Sequence, residues 1–335
     1  MKRIQRSIAA LSLALTLGIS GLAYGQELVV YSARIENLIK PVFDLYTAET
    51  GVKVKYLTDQ EPVLLQRIKA EGDNTPADLL LTVDAGNLWH AANEGVLHPV
   101  DSEVLTKNIP EHLRDPDKRW FGLSVRARTL VYSPQRVKPA DLSTYEDLAE
   151  PKWKGRLALR SSKKVYNQSL VAMLIKEHGE AKAAEIVGGW VRNLAAQPFA
   201  DDTKTMEAVV AVIAEVAIVN TYYVGRLVKK DPAVPLAVFW PNQSSSGVHV
   251  NVSGAGVVAA SKNKKAAIAF LEWLSTEKAQ KIFAEANLEY PVNPSVPAHP
   301  IVAAWGPFKQ NRINVSNAGE FQAVAIQLMD RMGYK

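Results

Sequence analysis

Cysteine is absent from the 335 residues, which excludes disulfides, thiolate metal ligands and a lipid-anchored cysteine. Histidine is scarce. The six residues, at 90, 98, 112, 178, 249 and 299, show no paired ligand spacing on any predicted helix, so a His/Cys soft-metal site is not expected. Enzyme signatures are also missing: there is no glycine-rich phosphate loop, no His-Glu-x-x-His and no Gly-x-Ser-x-Gly. Ser161 to Lys164 fits Ser-x-x-Lys, but its companion motifs are lacking and so short a match arises often by chance. No enzyme is expected.

Only one long hydrophobic run exists, from Ile8 to Leu22, shorter than the ~20 residues of a membrane-spanning helix. Lys2, Arg3 and Arg6 precede it, and Ala23-Tyr24-Gly25 follows with small residues where a signal peptidase reads. Residues 1–25 are therefore expected to be a secretory signal peptide, and the mature chain to be a soluble secreted protein of about 310 residues, enough for two domains. The formal net charge is +5; three of those charges precede position 26, leaving +2. So small a surplus points to neither nucleic acid nor an anionic membrane as the main partner.

After Gln26, strand and helix alternate. Leu28–Tyr31, Val52–Leu57 and Ala77–Val83 read as strands, and the stretches Ile35–Thr47, Val63–Ala70 and Leu88–Glu94 as helices. This is a doubly wound α/β lobe. Trp120–Tyr132 reads as one or two strands, Leu142–Gly155 as a connection, and Leu157–Arg160 as another strand. Helices are expected over Asn167–His178, Ala181–Asn193 and Met206–Ala214. A strand follows at Val216–Val219, then a helix capped by Thr221. Val250–Ala260 reads as a strand, Lys264–Ala286 as one amphipathic helix and Ala318–Met332 as a closing helix. The expected architecture is two α/β lobes with the chain crossing between them more than once: residues 26–125 with about 245–298, and 126–244 with about 299–335.

Tyrosine placement is the most informative chemical feature. Ten tyrosines remain after Tyr24. Tyr31 stands at the carboxyl end of the first predicted strand, the end that faces the ligand crevice in an open α/β sheet. Tyr222 and Tyr223 follow a strand directly, and Tyr166 precedes a helix in a polar loop. For any one of them packing is an adequate explanation; their shared placement is what suggests a site. A phenolate is a hard anionic donor, and with an ordinary pKa near ~10 several phenolates persist at neutral pH only around a strongly polarising cation. Ferric iron fits, whereas calcium and magnesium prefer carboxylates and carbonyls. Arg126, Arg128 and Arg226 are either compensating charges or ordinary solvent-facing ones. Asp201-Asp202 reads as a solvated turn.

At these residues the chain resembles the periplasmic ferric-iron-binding proteins of bacterial ABC importers, the Fbp/Fut type. The likeness is carried by Val30-Tyr31-Ser32-Ala33-Arg34, Pro76-Ala77-Asp78 with Asp84-Ala85-Gly86, Trp153-Lys154-Gly155-Arg156-Leu157 and Asn220-Thr221-Tyr222-Tyr223. The double tyrosine is the specific element. The resemblance implies a type II two-lobed binding-protein fold with iron in the hinge cleft, and a monomer that serves an inner-membrane ABC permease from the periplasm. It implies Tyr31, Tyr166, Tyr222 and Tyr223 as metal ligands, with Arg126 and Arg226 near the metal. Fe³⁺ or Fe²⁺ as the bound ion, and carbonate or water as a completing ligand, stay open. So does another solute on the same fold, such as an oxyanion, a polyamine or a sugar phosphate.

Overall fold

The computed structural model describes residues 27–335, so the expected signal peptide lies outside the described residues. The first stretch runs β1 (Glu27–Ser32), α1 (Glu36–Thr50), β2 (Lys53–Thr58), α2 (Glu61–Glu71), β3 (Leu79–Val83), α3 (Ala85–Asn93), β4 (Leu97–His98) and α4 (Glu103–Asn108). Gly51 stops α1 in the left-handed conformation, at φ 73°, and its N–H closes on the Thr47 carbonyl. The 12-residue β5 (Phe121–Tyr132) follows, buried along its whole length. Then come β6 (Leu157–Ala158), α5 (Val165–His178), α6 (Glu180–Asn193), α7 (Asp202–Val210), β7 (Val216–Asn220), α8 (Thr221–Lys230) and β8 (Ala237–Phe239). The chain ends with β9 (Val250–Val258), α9 (Lys264–Leu274), α10 (Glu277–Asn287), β10 (Tyr290–Pro291), α11 (Pro300–Ala303), α12 (Asn317–Glu320) and α13 (Gln322–Arg331).

The strand order is β2-β1-β3-β9-β5-β7-β6. β1, β2 and β3 are parallel, while β9 is antiparallel to both β3 and β5. β5 links the two halves. Its residues Phe121 to Ala127 pair with β9, and Arg128 to Tyr132 pair with β7. One large hydrophobic core gathers residues between 28 and 127, residues 248 to 292, and Val315. Two further clusters, built from residues 130 to 239 and 325 to 334, lie beyond the Ala127/Arg128 point.

Three expectations are corrected. The Lys264–Ala286 stretch is two helices, broken at Ser275-Thr276, where both hydroxyls donate to carbonyls of the preceding turn and compete with helix continuation. The closing helix is likewise broken, at Phe321 between α12 and α13. The cap residue of α8 is Asn220, not Thr221; Thr221 instead accepts the Ala127 N–H at 3.3 Å through its hydroxyl.

His249 sits where β9 meets the crossing in β5. It is 3% exposed, its carbonyl accepts the Arg128 N–H at 3.0 Å, and its N–H donates to the Tyr145 hydroxyl at 3.2 Å. Burial, with the charges of Arg128 and Arg126, pushes its imidazole from 6.5 down to about 3. The folded value lies below the unfolded one, so this group's stabilisation is complete above pH 6.5 and is lost as pH falls toward 3. Within that window unfolding takes up one extra proton, about 1.4 kcal/mol per pH unit. Denaturant melts from pH 7 to pH 4 should therefore lose stability less steeply in His249→Asn than in the parent. Equal slopes would show that this imidazole is charged in the fold.

Candidate metal centre

β7 delivers Asn220 to its carboxyl end, and α8 begins at the next residue, so Tyr222 and Tyr223 lie in the first helical turn. Their ring centroids are 4.5 Å apart with planes tilted by 32°. Tyr222 is buried and accepts a long 3.5 Å hydrogen bond from the Asn220 side chain; Tyr223 is half-buried. Tyr166, the second residue of α5, joins them: it lines the same cleft as Tyr223. Burial, then Tyr166 and Tyr223, push the Tyr222 phenol well above its ordinary value. Burial also raises Tyr166, opposed by Arg126. Both phenols are protonated at neutral pH, and neighbouring phenolates repel one another, so ionising them together needs a cation among the oxygens.

Three guanidiniums surround the rings. Arg126 lies 5.6 Å and Arg160 5.0 Å from the Tyr166 centroid. Arg226, one turn along α8, lies 5.0 Å from Tyr222 and 5.9 Å from Tyr223. Arg126 is buried, donating to the Ser253 hydroxyl at 2.7 Å and the Val252 carbonyl at 2.9 Å. Its countercharge is Glu289, 3.8 Å away. Burial alone would raise the Glu289 carboxyl, but Arg34 and Arg126 outweigh it and hold the group below the usual carboxylate range.

Beneath the rings lies a buried ionic lattice. Asp202 is fully buried, which overturns the solvated-turn reading of Asp201-Asp202. Asp201 caps α7 by accepting the Lys204 N–H, and this turns Asp202 inward. The Asp202 carboxylate accepts from Arg128 at 2.6 Å, from Arg160 at 3.1 Å and from the Asn220 N–H at 2.7 Å. Arg128 is thus an internal structural charge. Arg160 went unnoticed in the sequence, although it ends the expected Leu157–Arg160 strand and falls under the same strand-end rule that singled out the tyrosines.

Tyr31 is placed apart from the other three. Its hydroxyl donates to the Glu71 carboxylate at 2.9 Å, and Arg67 covers its ring at 5.5 Å. Glu71 is the last residue of α2, about 15 Å along the axis from Glu61, the first. Strand-end position fixed the backbone of Tyr31, but its side chain runs back beneath α2.

It is the other end of α2 that meets the tyrosines. A cleft of about 310 Å³ is lined by Tyr166, Tyr223 and Arg160 on one side and by Gln60, Glu61 and Asn87 on the other. Burial lifts the Glu61 carboxyl above its ordinary value, with Lys164 and Arg126 opposing and Asp84 reinforcing the shift. Close by, Ser169 of α5 donates to Asp84 at 2.8 Å, joining the two sides of the cleft.

A family model described as bacterial extracellular solute-binding protein matches residues 74–309. Iron uptake protein A1 of Synechocystis sp. is 46% identical over 316 residues, 92% of this chain and 88% of its own. The Fe(3+)-binding periplasmic protein of Serratia marcescens is 28% identical over 298 residues, 88% of this chain and 87% of its own. Among solved structures, a Trichodesmium protein (IdiA, FutA) in complex with iron and citrate ligands superposes with a TM-score of 0.89 at 46% identity, covering 92% of this chain and 100% of that one. The fold is the type II periplasmic binding fold expected from the sequence. The chain belongs to the bacterial extracellular solute-binding proteins, among their iron-uptake and ferric-iron-binding members.

Proposed function

We propose that this chain captures ferric iron in the periplasm, as a monomer and without catalysis, and delivers it to an inner-membrane ABC permease. The observation that carries this reading is the convergence of Tyr166, Tyr222 and Tyr223 among Arg126, Arg160 and Arg226. Three phenolates balance the charge of Fe³⁺, whereas around Fe²⁺ they leave a net negative charge, so the oxidised ion suits the donor set better. Carbonate or water completes the shell. The names of the relatives support the same cargo and compartment.

The two lobes are proposed as residues 26–125 with about 245–298, and 126–244 with about 299–335. They meet at the cleft that holds the ion. The proposed ligands are Tyr166, Tyr222 and Tyr223 from one side of the cleft and Tyr31, whose hydroxyl donates to Glu71 here, from the other lobe. A second reading has its own support: arginines at 126, 160 and 226 suit an oxyanion, and such a cargo would need no phenolate.

Colour separates the two. Loading with ferric iron should give a visible phenolate-to-iron charge-transfer band. Tyr222→Phe and Tyr223→Phe should bleach or shift it. A colourless loaded protein would favour the oxyanion.

Arg126 is buried beside Tyr166 and Arg226 is exposed over the tyrosine pair. In competition with a chelator, Arg126→Ala should weaken iron retention by about tenfold or more, and Arg226→Ala by less because solvent screens its charge. Unchanged retention in both would place the charge balance elsewhere.

With Tyr31 on one lobe and Tyr166, Tyr222 and Tyr223 on the other, binding across the cleft favours the closed arrangement. Small-angle scattering should give a smaller radius of gyration for the loaded protein; equal radii would argue against closure on the ion.

A further inference from the structure

Two side-chain bridges cross from α3 to α5 within a turn of Tyr166. In the first, the Ser169 hydroxyl meets both oxygens of the Asp84 carboxylate, at 2.8 and 2.9 Å. Asp84 stands between β3 and α3, in one proposed lobe, and Ser169 lies in α5, in the other. Both residues are fully buried. In the second bridge, the Gln168 amide donates to the Ser162 carbonyl at 2.9 Å, which leaves its oxygen to accept from Gln322 at 3.0 Å. The Gln322 oxygen in turn accepts from the ring of His90 in α3, at 2.6 Å.

Asp84 holds a costly conformation. Its φ of 73° and ψ of 127° lie where a side chain is rarely accommodated, and such strain persists only where the surroundings enforce it. Capping does not account for it. Oδ1 accepts the Gly86 N–H at 3.0 Å, but a cap makes that bond from ordinary extended backbone and asks for no partner in another lobe. The surroundings do enforce it. The Asp84 N–H donates to the Val252 carbonyl at 2.9 Å, and the Ala85 N–H donates to the Asn251 side chain at 2.8 Å. A Cβ on Gly86 would lie 3.2 Å from Asp84 Oδ1, and one on Gly319 of α12 would lie 2.6 Å from the Trp89 Cβ. So α12 is locked against α3, and Gln322 follows α12 by two residues.

We infer that Asp84 is a positioning residue: through Ser169 it ties α5, and with it Tyr166, to the opposite lobe, so that the ion leaves only when this tie breaks. The inference rests on the proposed iron-binding reading and adds a control on release to it. Parting the lobes strips the buried carboxylate of the hydroxyl, and water has to reach it before the loss is made good. The chain from His90 through Gln322 to Gln168 backs the same seam. A tie of this kind sets how readily the lobes part, and leaves the oxygens that hold the ion as they are.

The test uses the mature chain loaded with ferric iron and released into excess citrate, in Ser169→Ala, Asp84→Asn and Gln322→Ala variants. Ser169→Ala should release iron about tenfold faster, with the charge-transfer band at the parent's wavelength. Its unloaded form should have a larger radius of gyration than the unloaded parent. Asp84→Asn keeps an acceptor for the hydroxyl but loses the charge, so its release should fall between the two. Gln322→Ala should speed release by a smaller factor. Release from Ser169→Ala at the parent's rate would overturn the inference. Faster release with a shifted band would also overturn it, because Ser169 would then act on Tyr166 alone and not between the lobes. Should thermal melts show Ser169→Ala to be poorly folded, Gln322→Ala decides, since Gln322 is only half-buried; parental release there sinks the tie. If the parent shows no phenolate band, the iron reading fails, and the tie is judged on the unloaded radii, where equal values for Ser169→Ala and parent overturn it.

Discussion

The Asp202 carboxylate is the point to which the candidate site is anchored. Its oxygens take the guanidiniums of Arg128 from β5 and Arg160 from beyond β6, together with the main-chain N–H of Asn220 at the end of β7. Three strands and the start of α7 therefore meet at one buried anion. Its partners also hold the tyrosines: Asn220 precedes Tyr222, and Arg160 lies against Tyr166. Two arginines on one carboxylate leave a local positive excess beneath the phenol rings. Burying three charges is costly unless every one is paired and hydrogen-bonded, and removing any one would strand the others without solvent. Such an arrangement fixes geometry more than it adds stability.

Much of the fold was legible because periodicity and turn chemistry are local. Gly51 and Gly95 follow helices where the apolar spacing stops, and the continuous apolar run before Asp84 is a buried strand. The misses share a different cause. Lys264–Ala286 keeps helical spacing across its break, because a hydroxyl pair at Ser275-Thr276 interrupts hydrogen bonding without disturbing the hydrophobic pattern. Asp201-Asp202 looks like a solvated turn because nothing in the neighbouring sequence reveals that Arg128 and Arg160 arrive from other strands.

The tyrosines show the same limit. Tyr166, Tyr222 and Tyr223 were found by their position at strand-to-helix junctions, and the structure gathers them. Tyr31 satisfies the same rule, and its hydroxyl donates to Glu71, forty residues further along the chain. A strand-end position says where a backbone goes. The direction of a long side chain depends on which partner elsewhere in the fold is free to bind it, and Glu71 is fixed within a cluster that also includes Arg67 and Thr75.

β5 carries one further implication. Arg126 and Arg128 are two residues apart on this strand, so both side chains project from the same face. Yet they flank the point where pairing passes from β9 to β7. One guanidinium is tethered to Ser253 and Val252 on β9, the other to Asp202 and the Ile218 carbonyl of β7. The strand is continuous across that point, so a relative movement of the two halves would have to twist it, and such a torsion would re-aim Arg126, beside Tyr166, against Arg128.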